Sequence, residues 1–182
     1  MKKILLIFTL LFALTVNAQH LSFMNIPLDG NINNFTAKLK NKGLKISPYN
    51  NSIPVGARAF TGTFIGKQAS VYVYYNTKNN NVYRAKACIE NTSLDGTKNL
   101  MTEVRDMLSE KYDSYCEEGT ENNYTSYYLY IFNNQEIIGI IDLYITKEEG
   151  LYSWDNDIYV LHIDYTDREN GNKNDTIKMD DL

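Results

Sequence analysis

The stretch YTSYYLYIFNNQEIIGIIDLYIT, residues 124–146, decides the fold class of this chain. Residues 124–132 and 136–146 are rich in β-branched and aromatic side chains and alternate between apolar and polar, the period of a strand with one buried face. Asn133 and Asn134 lie between the two segments, and asparagine tolerates the positive φ of a tight type I′ turn. The stretch therefore predicts an antiparallel hairpin of two long strands.

Two amphipathic helices are predicted upstream. Residues 97–112 carry an apolar stripe at helical spacing, formed by Leu100, Met101, Val104, Met107 and Leu108. Residues 31–42 carry a second stripe, formed by Ile32, Phe35, Thr36 and Leu39. Such stripes are typical of helices that pack on a sheet rather than of a cofactor site.

Each helix is followed by three segments with strand character: residues 59–65, 69–75 and 82–90, then residues 124–132, 136–146 and 158–165. Short connections favour antiparallel meanders. The sequence thus predicts an α+β fold of two tandem α-β-β-β units, about residues 25–92 and 93–166, with the helices on one face of an antiparallel sheet. Together they form one domain over residues 19–166, and the polar residues 167–182 are predicted to be a flexible tail.

The N-terminus has the pattern of a secretory signal peptide. Lys2 and Lys3 precede a short apolar run, and Val16 and Ala18 suit the −3 and −1 positions of a cleavage site. We expect cleavage after Ala18. No cysteine follows the apolar run, so the lipobox of bacterial lipoproteins is missing, and a free periplasmic or secreted protein is predicted.

The charge balance restricts the choice of partners. Lys2 and Lys3 leave with the signal, so 16 of the 18 basic side chains remain against 22 acidic ones, and the net charge moves from −4 to −6. An acidic chain lacks the concentrated lysine and arginine that phosphate backbones and anionic lipids require. We therefore predict no nucleic-acid partner and, after cleavage, no membrane attachment.

The chain has two cysteines, Cys88 and Cys116. An even number of cysteines in an exported protein makes a disulfide possible, and closing this loop would stabilise the fold by roughly 3.5 kcal/mol. Two free, half-buried thiols are the other interpretation. The spacing does not decide between them.

Alternation along the strands sorts their side chains onto two faces. The predicted core face carries Phe60, Phe64, Val71, Val73, Ala85, Ala87, Ile89, Leu129, Ile131, Ile141, Leu143, Ile145, Leu161 and Ile163. The opposite face is rich in tyrosine and in basic groups, a composition enriched at recognition surfaces. Its candidate binding residues are Tyr72, Tyr74, Arg84, Lys86, Tyr128, Tyr130 and Tyr144. The alternative is ordinary strand composition, because tyrosine favours strands.

No residue pattern predicts catalysis, a metal site or a cofactor. Of the two histidines, His20 lies beside the expected N-terminus, which leaves His162 alone in the folded part. An enzyme remains an alternative only if a deep pocket forms around His162, Asp164 and Asp142.

The segments VNAQ at residues 16–19 and FMNIPLDG at residues 23–30, with the Asn- and Tyr-rich composition, resemble small secreted proteins of uncharacterised function from Bacteroidetes-type bacteria. The tandem helix-plus-meander layout is similar to the β-lactamase-inhibitor-protein-like and PepSY-like families. That resemblance implies binding rather than catalysis, through the open face of the sheet in the inhibitor case.

We therefore expect an exported, non-enzymatic binding module whose open sheet face contacts a protein, peptide or glycan. An envelope structural or assembly domain that self-associates through an exposed strand edge is the alternative from another class.

Overall fold

The computed structural model describes residues 20–148 and 157–179. Its main feature is an eight-stranded antiparallel sheet. The strands are β3 (Lys45–Ile46), β4 (Ala57–Phe64), β5 (Lys67–Tyr75), β6 (Val82–Asn91), β7 (Ser114–Glu121), β8 (Tyr124–Asn133), β9 (Glu136–Glu148) and β10 (Ile158–Asp167). Their spatial order is β3-β4-β5-β6-β10-β9-β8-β7, and a separate hairpin precedes them, formed by β1 (Ser22–Phe23) and β2 (Ile26–Pro27).

The helices are α1 (Ile32–Asn41), α2 (Leu94–Lys111) and α3 (Arg168–Met179), with a 3-10 turn at Asn50–Ser52. The Asn31 side chain caps α1 by accepting from the backbone N–H of Asn33 at 2.8 Å. In α2 the cap is Ser93, whose Oγ accepts from the N–H of Gly96 at 3.2 Å. This cap starts α2 three residues before the predicted position.

The core lies between the sheet and helices α1 and α2. All fourteen strand residues of the predicted core face are buried there, beside Phe35 of α1 and Val104 of α2. Met107, which the sequence places in the apolar stripe of the second helix, is not part of this core, because it is 48% exposed. The prediction of an α+β fold with a large antiparallel sheet is confirmed.

Each long helix is followed by a meander, but neither meander has the predicted three strands. Helix α1 precedes β3 to β6, and α2 precedes β7 to β10. The unpredicted strand β7 is polar and lies at the sheet edge, so it has no apolar alternation to reveal it. Its pairing with β8 is set by Asn122 and Asn123, whose φ values of 51° and 66° form the type I′ turn of a hairpin.

The segment predicted as a flexible tail begins as helix α3. Asp167 is fully buried just before it and accepts from the N–H of Asn170 at 2.9 Å and from the N–H of Leu21 at 3.0 Å. The Asn170 side chain in turn donates to the carbonyl of Leu28 at 2.9 Å. These polar contacts to the first residues of the domain anchor α3, and composition alone does not reveal them.

The predicted signal peptide and Trp154 lie outside the described residues. Within the described part of the chain, no helix has the length and apolar character needed to cross a membrane.

Candidate functional site

The candidate site is the face of the sheet opposite α1 and α2, which we call the open face. All seven predicted binding residues lie on it and are half-buried. They form two groups rather than one cluster, because strand β10 runs between β6 and β9. Tyr72, Tyr74, Arg84 and Lys86 lie on one side of β10, and Tyr128, Tyr130 and Tyr144 lie on the other.

Strand register places acidic residues between the two groups. One row of cross-strand neighbours crosses the centre of the face in the order Tyr72, Lys86, Asp164, Asp142, Tyr128 and Glu117. Two aspartates are therefore direct neighbours in the middle of the open face. Like charges at directly opposed positions destabilise a sheet unless they are compensated.

Asp164 is compensated by Arg84. The Asp164 carboxylate is 1% exposed and accepts from Arg84 Nε at 2.8 Å and from an Arg84 terminal nitrogen. This two-pronged contact raises the pKa of Arg84 above its ordinary value. The guanidinium also lies 5.0 Å from the centre of the Tyr74 ring. Both contacts fix the orientation of the Arg84 side chain on the open face, so its main role is to balance Asp164.

Asp142 has no such partner. Its Oδ1 atom is buried and makes no hydrogen bond. Burial raises the pKa of Asp142 to about 6, and the negative charge of Asp164 raises it further than Arg84 lowers it. The open face thus has one carboxyl group that titrates near neutral pH.

A second buried polar atom without a partner lies near Asp142. Ser126 is fully buried, and its Oγ makes no hydrogen bond. It faces Gly119 across strands β7 and β8, where a Cβ on Gly119 would come within 2.8 Å of the Tyr128 ring and 3.1 Å of Ser126 Oγ. Glycine at this position lets the Tyr128 ring lie against β7.

On the other side of the face, Cys88 and His162 are cross-strand neighbours. Cys88 Sγ lies 3.3 Å from His162 Nδ1, and Thr146 Oγ1 lies 2.8 Å from His162 Nε2. The imidazole stacks on Tyr144 with ring centres 4.5 Å apart. Cys88 and His162 border a shallow cavity of about 240 Å³ that Tyr72 and Lys86 also line.

The Cys88–His162 pair is uncharged at neutral pH. Burial raises the pKa of Cys88 to about 11 and lowers the pKa of His162 to about 4. A nucleophilic cysteine requires the reverse, a thiolate stabilised by a cationic neighbour. Asp164, which the enzyme alternative required beside His162, is buried in its contact with Arg84.

Cys88 and Cys116 are both free thiols. Strands β10, β9 and β8 separate β6 from β7, so the two cysteines are four strand spacings apart, roughly 19 Å. They also face opposite ways, because Cys116 packs against the core and Cys88 lies on the open face. A disulfide requires Cα atoms within about 7 Å, so the sheet rules out the bridge that the sequence left open.

Helix α3 lies at one end of the open face, where it contacts β6, β9 and β10. A cavity of about 540 Å³ lies between Asn174 of α3, Tyr74 and the loop around Val55. Another, of about 400 Å³, lies between Gly171 of α3 and Tyr130. The helix therefore borders two concave regions that continue from the predicted tyrosines.

Several site residues escape sequence reasoning. Glu117 and Glu121 reach the open face only because β7 exists, and Ser126 is identified only by its lack of a partner. Because residues 114–121 show no apolar alternation, only the Asn122–Asn123 pair, a tight-turn signal before β8, could have indicated a strand ahead of it. No group of three or more histidine, cysteine, aspartate or glutamate residues in the described ranges is arranged to hold a metal ion.

Comparison of the chain with protein-family models, with curated proteins and with solved structures found no match.

Proposed function

We propose that this protein is an exported, non-enzymatic binding module whose open face contacts a protein, peptide or glycan. One observation carries the proposal: six tyrosines and an arginine-bound aspartate share a sheet face that α1 and α2 leave uncovered, and the tyrosines stay half-exposed. They are Tyr72, Tyr74, Tyr115, Tyr128, Tyr130 and Tyr144. A tyrosine offers a large contact area with few rotatable bonds, so its burial by a ligand is favourable.

The face is also pre-organised for recognition. Arg84 lies against the Tyr74 ring, and Lys86 Nζ lies 5.9 Å from the centre of the Tyr72 ring. Tyr144 is stacked on His162. Side chains that already have a fixed orientation lose little conformational entropy on binding, which increases affinity.

We further propose that the two helix-plus-meander segments are a tandem repeat, joined where β6 pairs with β10. This arrangement supports the binding role, because it gives one continuous face across both halves of the sheet.

Self-association through a strand edge is the less favoured alternative. The long free edge of the sheet is β7, which carries Glu117, Glu118 and Glu121. Pairing two copies of this strand would bring negative charges together, a common device against edge-to-edge association. A concentration-independent monomer mass in light scattering would exclude this alternative.

The test of the binding role replaces four open-face tyrosines together, Tyr72, Tyr74, Tyr128 and Tyr130, each by threonine. Threonine retains strand propensity while removing the ring. The matched control is Tyr49→Thr, because Tyr49 is 75% exposed in the loop before β4 and lines none of the cavities described above. Each protein is checked for an unchanged near-UV spectrum, immobilised, and exposed to envelope extract of the source organism and to a glycan array.

We expect the wild type and the Tyr49→Thr control to retain the same ligand and the fourfold variant to lose it. If the fourfold variant stays folded and retains the ligand, the open face is not the binding surface and the proposal is wrong.

A further inference from the structure

The half of the open face formed by β7, β8 and β9 is strongly acidic, and we call it the acidic half. Its carboxylates include Glu117, Glu121 and Asp142, with Glu148 at the end of β9. The only basic residue in these three strands is Lys147, and its Nζ lies 3.0 Å from a carboxylate oxygen of Asp157. Arg168 of α3 borders this half beside Ile137, but the three strands themselves carry more negative than positive charge, which favours the approach of a cation.

Two buried side-chain atoms of the acidic half lack hydrogen-bond partners, although Glu117 accepts from the Tyr130 hydroxyl at 3.4 Å. Among the described residues, the buried side-chain atoms without a partner are Ser126 Oγ and Asp142 Oδ1. Both belong to the acidic half, on neighbouring strands, beside the Tyr128 ring. Native proteins pair almost all buried polar groups, so two unpaired atoms side by side just beneath the open face indicate that a ligand bound there supplies the missing donor.

The chemistry of the surroundings restricts that ligand. An anion is repelled by Glu117, Glu121 and Asp142, and a hydrocarbon group leaves the carboxylate unpaired at a cost of several kcal/mol. An arginine side chain meets both requirements, because its guanidinium carries a positive charge, donates up to five hydrogen bonds and stacks on aromatic rings. Tyr128 is the direct cross-strand neighbour of Asp142, and Tyr144 follows two residues later on the same face of β9.

We propose that the acidic half of the open face receives an arginine side chain of a protein or peptide partner, with Asp142 as the acceptor and Tyr128 and Tyr144 flanking the guanidinium. This inference rests on the proposed binding role of the open face. It adds that the partner is a polypeptide with an exposed arginine rather than a neutral glycan.

Protonation gives the proposal a specific pH dependence. Asp142 faces charged or titratable groups from five strands: Asp164 from β10, Arg84 from β6, Tyr128 and Tyr130 from β8, Glu121 from β7 and Tyr144 from β9. Asp142 has a raised pKa of about 6, and the bound arginine favours its charged form. Affinity is therefore expected to fall by up to about tenfold per pH unit as the pH falls below 6.

The experiment titrates the full chain with acetylated, amidated pentaarginine at pH 7.5 and pH 5 and follows backbone amide signals by NMR. Pentacitrulline, the neutral isostere, is the matched ligand control. The test variant is Asp142→Asn. The matched protein control is Glu118→Gln, which also removes one negative charge but lies on β7 where its partner Tyr127 packs against the core.

We expect pentaarginine to shift the signals of Asp142 and Tyr128 in the wild type and pentacitrulline to shift neither. Asp142→Asn should weaken binding at pH 7.5 at least tenfold. Between pH 7.5 and pH 5 the affinity of this variant should fall less than that of the wild type. Glu118→Gln should weaken binding less than twofold. Equal losses in the two variants, or equal binding of pentacitrulline, would overturn the proposal.

Capture of the partner from envelope extract, compared between the Asp142→Asn and fourfold tyrosine variants, tests this inference separately from the proposed function. If Asp142→Asn captures it as well as the wild type while the fourfold tyrosine variant does not, the arginine site is wrong and the binding role stands. If neither variant loses the partner, the binding role itself is wrong.

Discussion

Asp142 and Asp164 lie directly opposite each other on β9 and β10, yet only Asp164 has a cationic partner. Arg84 reaches Asp164 from β6 on the other side, which leaves one carboxylate of the pair unbalanced at the centre of the open face. A sheet that served packing alone would gain stability by replacing Asp142 with a neutral residue. This unbalanced pair is the feature from which the stability predictions and the binding proposal both follow.

We expect Asp142→Asn to stabilise the protein at pH 7.5 by about 1–2 kcal/mol, after allowance for solvent screening at a partly exposed site. The folded-state pKa of about 6 lies above the ordinary 3.8, so the stability that Asp142 contributes is present below pH 4 and is lost as the pH rises through 6. Urea unfolding at pH 4, 5, 6 and 7.5 measures this. A variant less stable than the wild type at pH 7.5 would contradict it.

We expect Arg84→Met to destabilise the protein by about 2–4 kcal/mol, because it leaves the Asp164 carboxylate buried and unpaired. The value lies below the upper limit for buried pairs because the Arg84 side chain is 37% exposed. Arg105→Met is the matched control, since Arg105 pairs with an aspartate that is 64% exposed on α2, and its cost should be about 1 kcal/mol or less. Similar unfolding midpoints for the two variants would show that Asp164 does not depend on Arg84.

His162 should make the protein less stable in acid. Burial lowers the pKa of His162 from 6.5 to about 4. Its contribution to the free energy of unfolding is therefore fully present above pH 6.5 and is lost as the pH falls towards 4. This slope is opposite in sign to that of Asp142. Between pH 7 and pH 4.5, the free energy of unfolding of His162→Gln should fall by about 1–2 kcal/mol less than that of the wild type. An NMR titration that placed the His162 pKa above 6 would refute the assignment.

Both cysteines should be free in the purified protein. Alkylation in urea without reductant, followed by peptide mass mapping, is expected to modify Cys88 and Cys116 completely. In the native state at pH 8, Cys88 should react at least about tenfold more slowly than in urea, because its pKa of about 11 leaves little thiolate. Recovery of a disulfide-linked peptide containing both residues would contradict the strand order of the sheet.

We expect Asp167→Ala to lower the free energy of unfolding by about 2–4 kcal/mol, because it removes the acceptor of two buried backbone N–H groups, those of Leu21 and Asn170. Lys173→Ala on the exposed surface of the same helix is the control, with an expected cost below about 0.5 kcal/mol. Hydrogen exchange should show lost protection of Asn170 in the first variant alone. Unchanged protection there would mean that α3 is anchored by other contacts.

The core face was predictable because burial acts on each strand separately. Phe60, Val71 and Leu143 alternate with polar neighbours, and that period of two appears in the sequence without knowledge of any partner strand. Strand β7 lacked such a signal, because an edge strand pairs on one side only and its glutamates face solvent. Helix α3 was missed for a related reason: it is held by Asp167 and Asn170, whose partners lie about 140 residues away in sequence.

The sequence by itself determined which residues face the core, where the two long helices lie and which tyrosines share the opposite face, because these depend on local periodicity. Only the tertiary structure decided that β6 pairs with β10 and that β7 forms the edge of the sheet. Strand order separated Cys88 from Cys116, matched Arg84 with Asp164 and left Asp142 and Ser126 without partners. Such pairings depend on long-range register, and the chemistry of the open face follows from that register rather than from composition.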